Sequence, residues 1–359
     1  MENKRREQTH ERYAQLRNRF ASPGPYVYGV YAAYTRTGGV LKGSTSGTLG
    51  YGLFWLLEMF SYCAVDGFAI ISGYIASNKP RKYEKLVDMW FQAFFYSFVV
   101  TLILTVVGFN ESWGKADIIK CALPVTSGKF WYFTAYFALF IAMPILNKFI
   151  FALDENASKK ALIILIVLFS VMGTLGDPFK TAKGYSAIWL IVLYCVGALA
   201  KRAKLFAGRK SITLILMGAL CIIVTWAMCI FAKKDRLLSY VSPTILLSGM
   251  IMVVLFSRLH LKGKIIAKLS PLAFGIYLFQ LNQVVWNKVI KDAASFVVSK
   301  NIVSGILYVF GIAFAIFICG LLVEFVRSKL AKLFKIPSLS KRIVALVDKL
   351  LVKGIVLMK

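Results

Sequence analysis

Apolar residues along this chain gather in nine long runs, at roughly 51–77, 88–108, 130–152, 161–176, 184–200, 211–232, 239–257, 270–290 and 301–326, separated by polar and basic stretches. About 20 apolar residues at roughly 1.5 Å each cover the ~30 Å hydrocarbon core of a bilayer, so the pattern predicts nine clear membrane-spanning helices. The run at 51–77, YGLFWLLEMFSYCAVDGFAIISGYIAS, stands apart because it carries two acids. On a helix Glu58, Tyr62 and Asp66 follow one another at i, i+4 and i+8, and Ala69 and Gly73 continue the stripe, so the polar groups share one face. An ionised acid at mid-membrane costs on the order of 2.5–3.5 kcal/mol even on an insertion scale, and such residues usually face a protein interior or a wet cavity. Two readings stand: the stripe walls a watery hollow that meets both membrane faces, or the acids pair with a Lys or Tyr of a neighbouring helix for packing.

Composition agrees with the pattern. Of 359 residues 58% are hydrophobic, too apolar for a soluble domain of this length. The expected fold is all-α, a polytopic membrane helical bundle. A formal charge of +28 could suggest nucleic acid, but the Lys and Arg fall in short clusters between the runs, where the positive-inside bias puts them. No nucleic-acid partner is needed. One set of alternate loops (77–87, 147–160, 201–210, 258–268 and 327–359) holds 25 basic residues and the other set 11, which assigns the first set to the cytoplasm. Nine spans would then put the N-terminus outside, although residues 1–19 carry six basic residues. A degenerate tenth crossing at 20–42 removes the conflict and leaves both termini cytoplasmic.

The expected organisation is therefore a basic N-terminal segment with its degenerate span (1–42), a membrane domain (43–327) and a basic tail (328–359). In the tail, Ile343, Val347, Leu350, Leu351 and Val356 alternate with Arg342, Lys349 and Lys353, which suits an amphipathic helix on an anionic leaflet or a solvated tail. The first 20 residues lack the apolar core of a cleavable signal peptide. Six cysteines without CxxC spacing read as small apolar residues, and two histidines, His10 and His260, exclude a histidine-rich metal site; no metal is expected.

Three further stretches carry chemistry. In KFWYFTAYFALFIAMPILNK, Lys129–Lys148, Trp131 and Tyr132 are either interface anchors or aromatic walls of a site. In SPLAFGIYLFQLNQVVWN, Ser270–Asn287, the residues Tyr277, Gln280, Asn282, Gln283 and Asn287 crowd amides into one run. Amides in hydrocarbon must find partners, so this run either bonds to neighbouring helices or faces the cavity of Asp66. In NKPRKYEK, Asn78–Lys85, several cations follow the acid-bearing helix, as positive-inside bias or a phosphate-bearing donor would require.

VDGFAIISGYI (Val65–Ile75), WYFTAYFALFIAMPILNK (Trp131–Lys148), GYSAIWLIVLYCVGALAK (Gly184–Lys201) and SPLAFGIYL (Ser270–Leu278) occur in the order and spacing of the type 3 acyltransferases. From about Gly38 to Phe325 the chain resembles this family of integral membrane enzymes that O-acylate cell-surface polysaccharides, nearest to the capsule and exopolysaccharide branch of Gram-positive bacteria. The resemblance implies ten spans in a bacterial cell membrane and acyl-CoA, such as acetyl-CoA, as cytoplasmic co-substrate without a metal. It also implies a glycan acceptor at the outer face and an association with polysaccharide-synthesis machinery. A family histidine in the first span acts as base or acyl carrier; this chain has none between His10 and His260, and Gln280 stands where a second histidine is usual. The match begins abruptly at Gly38, which favours an altered start to the gene over gradual loss of the chemistry. With Gln unable to act as a base, Asp66 or Glu58 is the expected catalytic group, with Tyr277 beside it. Arg81, Lys82 and Lys85 are expected to meet the CoA phosphates, and Trp131, Tyr132 and Gln280 the sugar. A glycan exporter or flippase, or an inactive scaffold, is the competing expectation.

Overall fold

The computed structural model describes residues 36, 38–76, 82–110, 113–231, 237–259 and 272–357. These are helices joined by turns, with no strand among the described residues. The helices are α1 (Leu49–Tyr62), α2 (Ala64–Tyr74), α3 (Glu84–Val106), α4 (Lys115–Ala122), α5 (Trp131–Ala152) and α6 (Glu155–Leu175). They continue with α7 (Ala187–Arg202), α8 (Ser211–Ile230), α9 (Pro243–Arg258), α10 (Ala273–Gln280), α11 (Gln283–Val285), α12 (Ile302–Leu333) and α13 (Ile336–Leu357). Starts follow the local chemistry. Thr48, Asp154, Ser186 and Asn301 each accept a backbone N–H of the first turn of α1, α6, α7 and α12, and Pro243 opens α9 with its φ already set.

Among the described residues, six stretches are long and apolar enough to cross a membrane: α1 with α2, α3, α5, α6, α8 and α12. That is fewer than the ten crossings expected, for three reasons. First, α7 and α9, with 16 residues each, rise only about 24 Å at ~1.5 Å per residue. Second, the run at 270–290 is broken: α10 stops at Gln280, and Asn282 restarts the helix by accepting the N–H groups of Val284 and Val285 at 3.0 and 3.2 Å. Third, the proposed first crossing at 20–42 lies almost wholly outside the described residues. The organising run is also two helices, interrupted at Cys63. At the other end of the domain, α12 runs through residue 327 without a break, and the tail continues as α13 after Lys335 turns at φ 52°.

Packing centres on α2. It runs parallel to α7, with Trp189 beside Asp66, Gly197 beside Ile70 and Lys201 over the Tyr74 ring. The approach is backbone to backbone: a Cβ on Gly73 would fall on the Tyr194 carbonyl, and one on Gly197 on that of Ile70. Small residues that let helices close this far are the usual device where lipid supplies no hydrophobic drive between helices. Helix α9 lies on the other side of α2, with Gly249 against Cys63, Asp66 and Ile70. Helices α5 and α6 pack on α7, α8 on α9, and α10 on α12. On α8, Ile212, Ile215, Leu216, Leu220 and Ile223 are exposed, as a lipid-facing helix requires.

The end of the bundle that carries Trp131, Ser186 and Pro243 is called the aromatic end below, and the opposite end, with Lys201 and Arg202, the basic end. Because α7 and α9 are short, the segments leading into them fold against the bundle. Thr181, Ser239 and Ser242 are buried there, and the Ser239 hydroxyl donates to the Lys183 carbonyl at 3.2 Å. Irregular backbone at membrane depth is tolerated only where protein covers it.

Candidate active site

The acidic stripe reaches the aromatic end at the junction of α1 and α2. Asp66, in the first turn of α2, is wholly buried, and its Oδ1 accepts the indole N–H of Trp189 at 3.1 Å. Its Oδ2 has no hydrogen-bond partner among the described residues. The Trp189 indole reaches it because Ser186 caps α7 by accepting the Trp189 backbone N–H at 3.2 Å, fixing where the first turn begins. Four residues before Asp66, Tyr62 stacks on Tyr240 with centroids 4.6 Å apart. Tyr240 in turn meets Tyr185 at 5.2 Å and Trp131 at 6.2 Å, and Trp131 meets Tyr185 at 4.6 Å. Glu58 acts electrostatically on both Tyr62 and Tyr240, and Arg36 on Tyr62.

Four separate segments thus deliver one acid-and-aromatic cluster. Gly184 is essential to it. Its φ of 100° disfavours any side chain, and a Cβ there would collide with the Tyr240 side chain. The loop before it is pinned by Asp177, which accepts from the Thr181 hydroxyl at 2.5 Å, the Thr181 N–H at 2.7 Å and the Ala182 N–H at 2.9 Å. Burial by itself raises the Asp177 carboxyl, but these bonds together with that of Lys183 outweigh it and hold the group below the usual carboxylate range.

Among the described residues the acids line no open, watery hollow. Glu58 is 2% exposed and Asp66 0%. The physical reason is Gly249: lacking a side chain, it lets α9 close directly over Cys63, Asp66 and Ile70. Further along the stripe Ala69 is buried, and Gly73 makes the backbone contact with α7.

The other expected residues divide into two groups. Tyr277 joins the site through rings: it meets Tyr132 at 6.1 Å, and Tyr132 meets Phe68, two residues beyond Asp66, at 6.4 Å. The amides do not join it. Asn282 ties helices together by donating to the Tyr96 carbonyl at 2.7 Å and the Thr101 hydroxyl at 2.9 Å, while Gln283 accepts from Lys129 at 2.8 Å. Gln280 is buried, its Oε1 has no hydrogen-bond partner among the described residues, and no described contact brings it to Asp66. Lys82 and Lys85 are exposed at the start of α3, where Tyr83 touches Phe140 at 6.2 Å; Arg81 lies outside the described residues, as do His10 and His260. Lys82 and Lys85 belong to the basic end. The 12 residues of α7 from Trp189 to Lys201 put about 18 Å of helix between that end and Asp66.

Residues 37–324 match the model of a protein family described as an acyltransferase domain. The chain belongs to the type 3 acyltransferase family. No curated protein and no solved structure matches it. The acid-and-aromatic cluster lies inside the matched region of this membrane acyltransferase. Trp189, Tyr185 and Tyr240 escaped the sequence reading, although a signal for one of them was present. An indole is a donor only, and Trp189 in the apolar run GYSAIWLIV needed an acceptor from another span, as Asp66 needed a donor.

Proposed function

We propose that this acyltransferase moves an acetyl or other short acyl group from acyl-CoA onto a hydroxyl of a cell-surface or exopolysaccharide glycan, with Asp66 as the general base. The observation that carries the reading is the Asp66–Trp189 bond inside the matched region. It holds one carboxylate oxygen and leaves the other without a partner among the described residues. Oδ2 would take the proton of the acceptor hydroxyl as that oxygen attacks the thioester carbonyl. The C–S bond then breaks, and CoA leaves as a thiolate that recovers the proton. Among the described residues there is no histidine to do this, and Asp66 is the acid of the cluster with an oxygen left open to take the proton. The indole N–H fixes the carboxylate's direction without neutralising it. Glu58, on the same face, is the nearest second acid along the stripe.

The aromatic end would be the outer face and the basic end the cytoplasmic one, in keeping with the loop charges. The acyl-CoA phosphates would meet Lys82 and Lys85, with Arg81 beside them in sequence, and the sugar would meet Trp131, Tyr132 and Tyr240. Tyr277 would line the path between them. Because Asp66 is sealed, the acceptor hydroxyl reaches it only when a ring of the cluster moves aside. The test is transfer by the purified chain in nanodiscs, given radiolabelled acetyl-CoA and polysaccharide from its own host. Label should enter the polysaccharide and be released as acetate by mild base. Unlabelled polysaccharide and no freed CoA thiol would overturn the reading.

A further inference from the structure

A polar cavity of about 180 Å3 opens at the aromatic end, apart from the acid cluster, between the end of α3, the short helix α4 and the helical stretch formed by α11 and the π-helical turn Trp286–Ile290. Trp113, Asp117, Lys129, Gln283 and Asn287 line it. The Trp113 indole leans on Phe98 with centroids 5.3 Å apart, and its Nε1–H is buried with no hydrogen-bond partner among the described residues. A buried donor without an acceptor is unfavourable unless a ligand or water supplies one. In the same lining Lys129, two residues before α5, donates to Gln283 of α11 at 2.8 Å.

This lining has a definite chemical character. A pure anion site would offer donors alone. Here donors (the indole N–H, the Lys129 and Lys288 ammonium groups, the Asn287 amide) stand in one lining with acceptors (the Asp117 carboxylate and the Asn287 amide oxygen). Hydroxyl groups donate and accept at once, and a sugar ring also presents an apolar C–H face to an aromatic ring. The volume lies below the roughly 300–1,000 Å3 of pockets for drug-sized ligands, which suits a single ring. The place fits as well. Lys129 lies three residues before Tyr132 and Gln283 six after Tyr277, so the cavity is built from the same chain segments as the Tyr132–Tyr277 pair, and Asp66 does not line it.

We infer that this cavity is a carbohydrate subsite, in which Trp113, Asp117 and Asn287 hold one sugar unit of the acceptor while a neighbouring unit enters the aromatic cluster. The inference rests on the glycan acceptor proposed above, but its test does not need acyl transfer. Full-length protein in nanodiscs is titrated with the methyl glycosides of glucose, galactose, N-acetylglucosamine and glucuronic acid, with mannitol as the acyclic control, and followed by calorimetry. At least one glycoside should bind and mannitol should not. Trp113→Phe, which keeps the ring and removes the N–H, should weaken that glycoside about tenfold, and Asn287→Ala should do likewise, with acetyl-CoA binding unchanged. Asn287 is exposed, so its variant tests the site even where the indole change disturbs packing. If no glycoside binds, or binding survives both substitutions, the subsite is wrong. Sugar binding lost in Trp113→Phe, with no transfer by the native protein, would keep the subsite and sink the acyltransfer reading. Transfer with an acceptor KM indifferent to both substitutions would do the reverse.

Discussion

At the scale of single residues, the pair Asp66 and Trp189 decides most. A buried hydrogen bond to a charged group contributes about 1.5–3 kcal/mol, and losing the donor leaves the carboxylate unsupported. Trp189→Phe keeps the ring in the α2–α7 contact and removes the N–H. It should lower thermal stability by about 1–3 kcal/mol and reduce acyl transfer while leaving acetyl-CoA binding alone. An unchanged melting temperature would show that the bond supports nothing. Asp177 gives a second expectation, this one in pH. Its carboxyl is held below its unfolded value, so the stabilisation is full above the unfolded pKa of about 3.9 and is lost as pH falls through the folded value. Asp177→Asn should therefore lower the melting temperature at neutral pH and flatten its decline in acid. Parallel melting curves would contradict the role given to this loop in presenting Tyr185 and Gly184.

At the scale of elements, the contact between α2 and α7 positions the site. Gly73 and Gly197 bring the two backbones together, and any side chain there must push the helices apart. Gly197→Ala should destabilise the fold by about 1–3 kcal/mol, the usual range for overpacking, and should move Trp189 away from Asp66. Thermal unfolding in detergent measures the first effect and the tryptophan emission spectrum the second. How far these elements could be read from the sequence follows from what is local. The period of Glu58, Tyr62, Asp66, Ala69 and Gly73 picks out residues that are all buried or nearly so, although the helix that carries them is interrupted at Cys63. Periodicity names a face but not the helix that meets it, so Trp189, Gly249 and Tyr240, 120 to 180 residues away, stayed hidden. The break at Asn282 had a local cause that hydropathy masked. Asn is a good N-cap, but here it sits inside an apolar run, and run length alone reads straight through it.

At the scale of the whole molecule, an acid cluster at the aromatic end and cations at the basic end lie about 18 Å apart along α7. An enzyme that takes its donor from one face and its acceptor from the other needs this division, with the acid sealed between turnovers so that water does not hydrolyse the thioester. Nine apolar runs and the family motifs made the membrane class and the acyltransferase family legible. A closed arrangement of the acids is one of the two readings the stripe allows, but the helix that closes over Asp66 was not legible, since Gly249 lies far along the chain. The most direct measurement is the acyl content of surface polysaccharide in a deletion strain complemented with the native gene or with Asp66→Asn at matched protein levels. General-base catalysis contributes about 100- to 10,000-fold, so the native gene should restore acylation and Asp66→Asn should leave it at the level of the deletion. Full restoration by Asp66→Asn would contradict the central role given to this carboxylate.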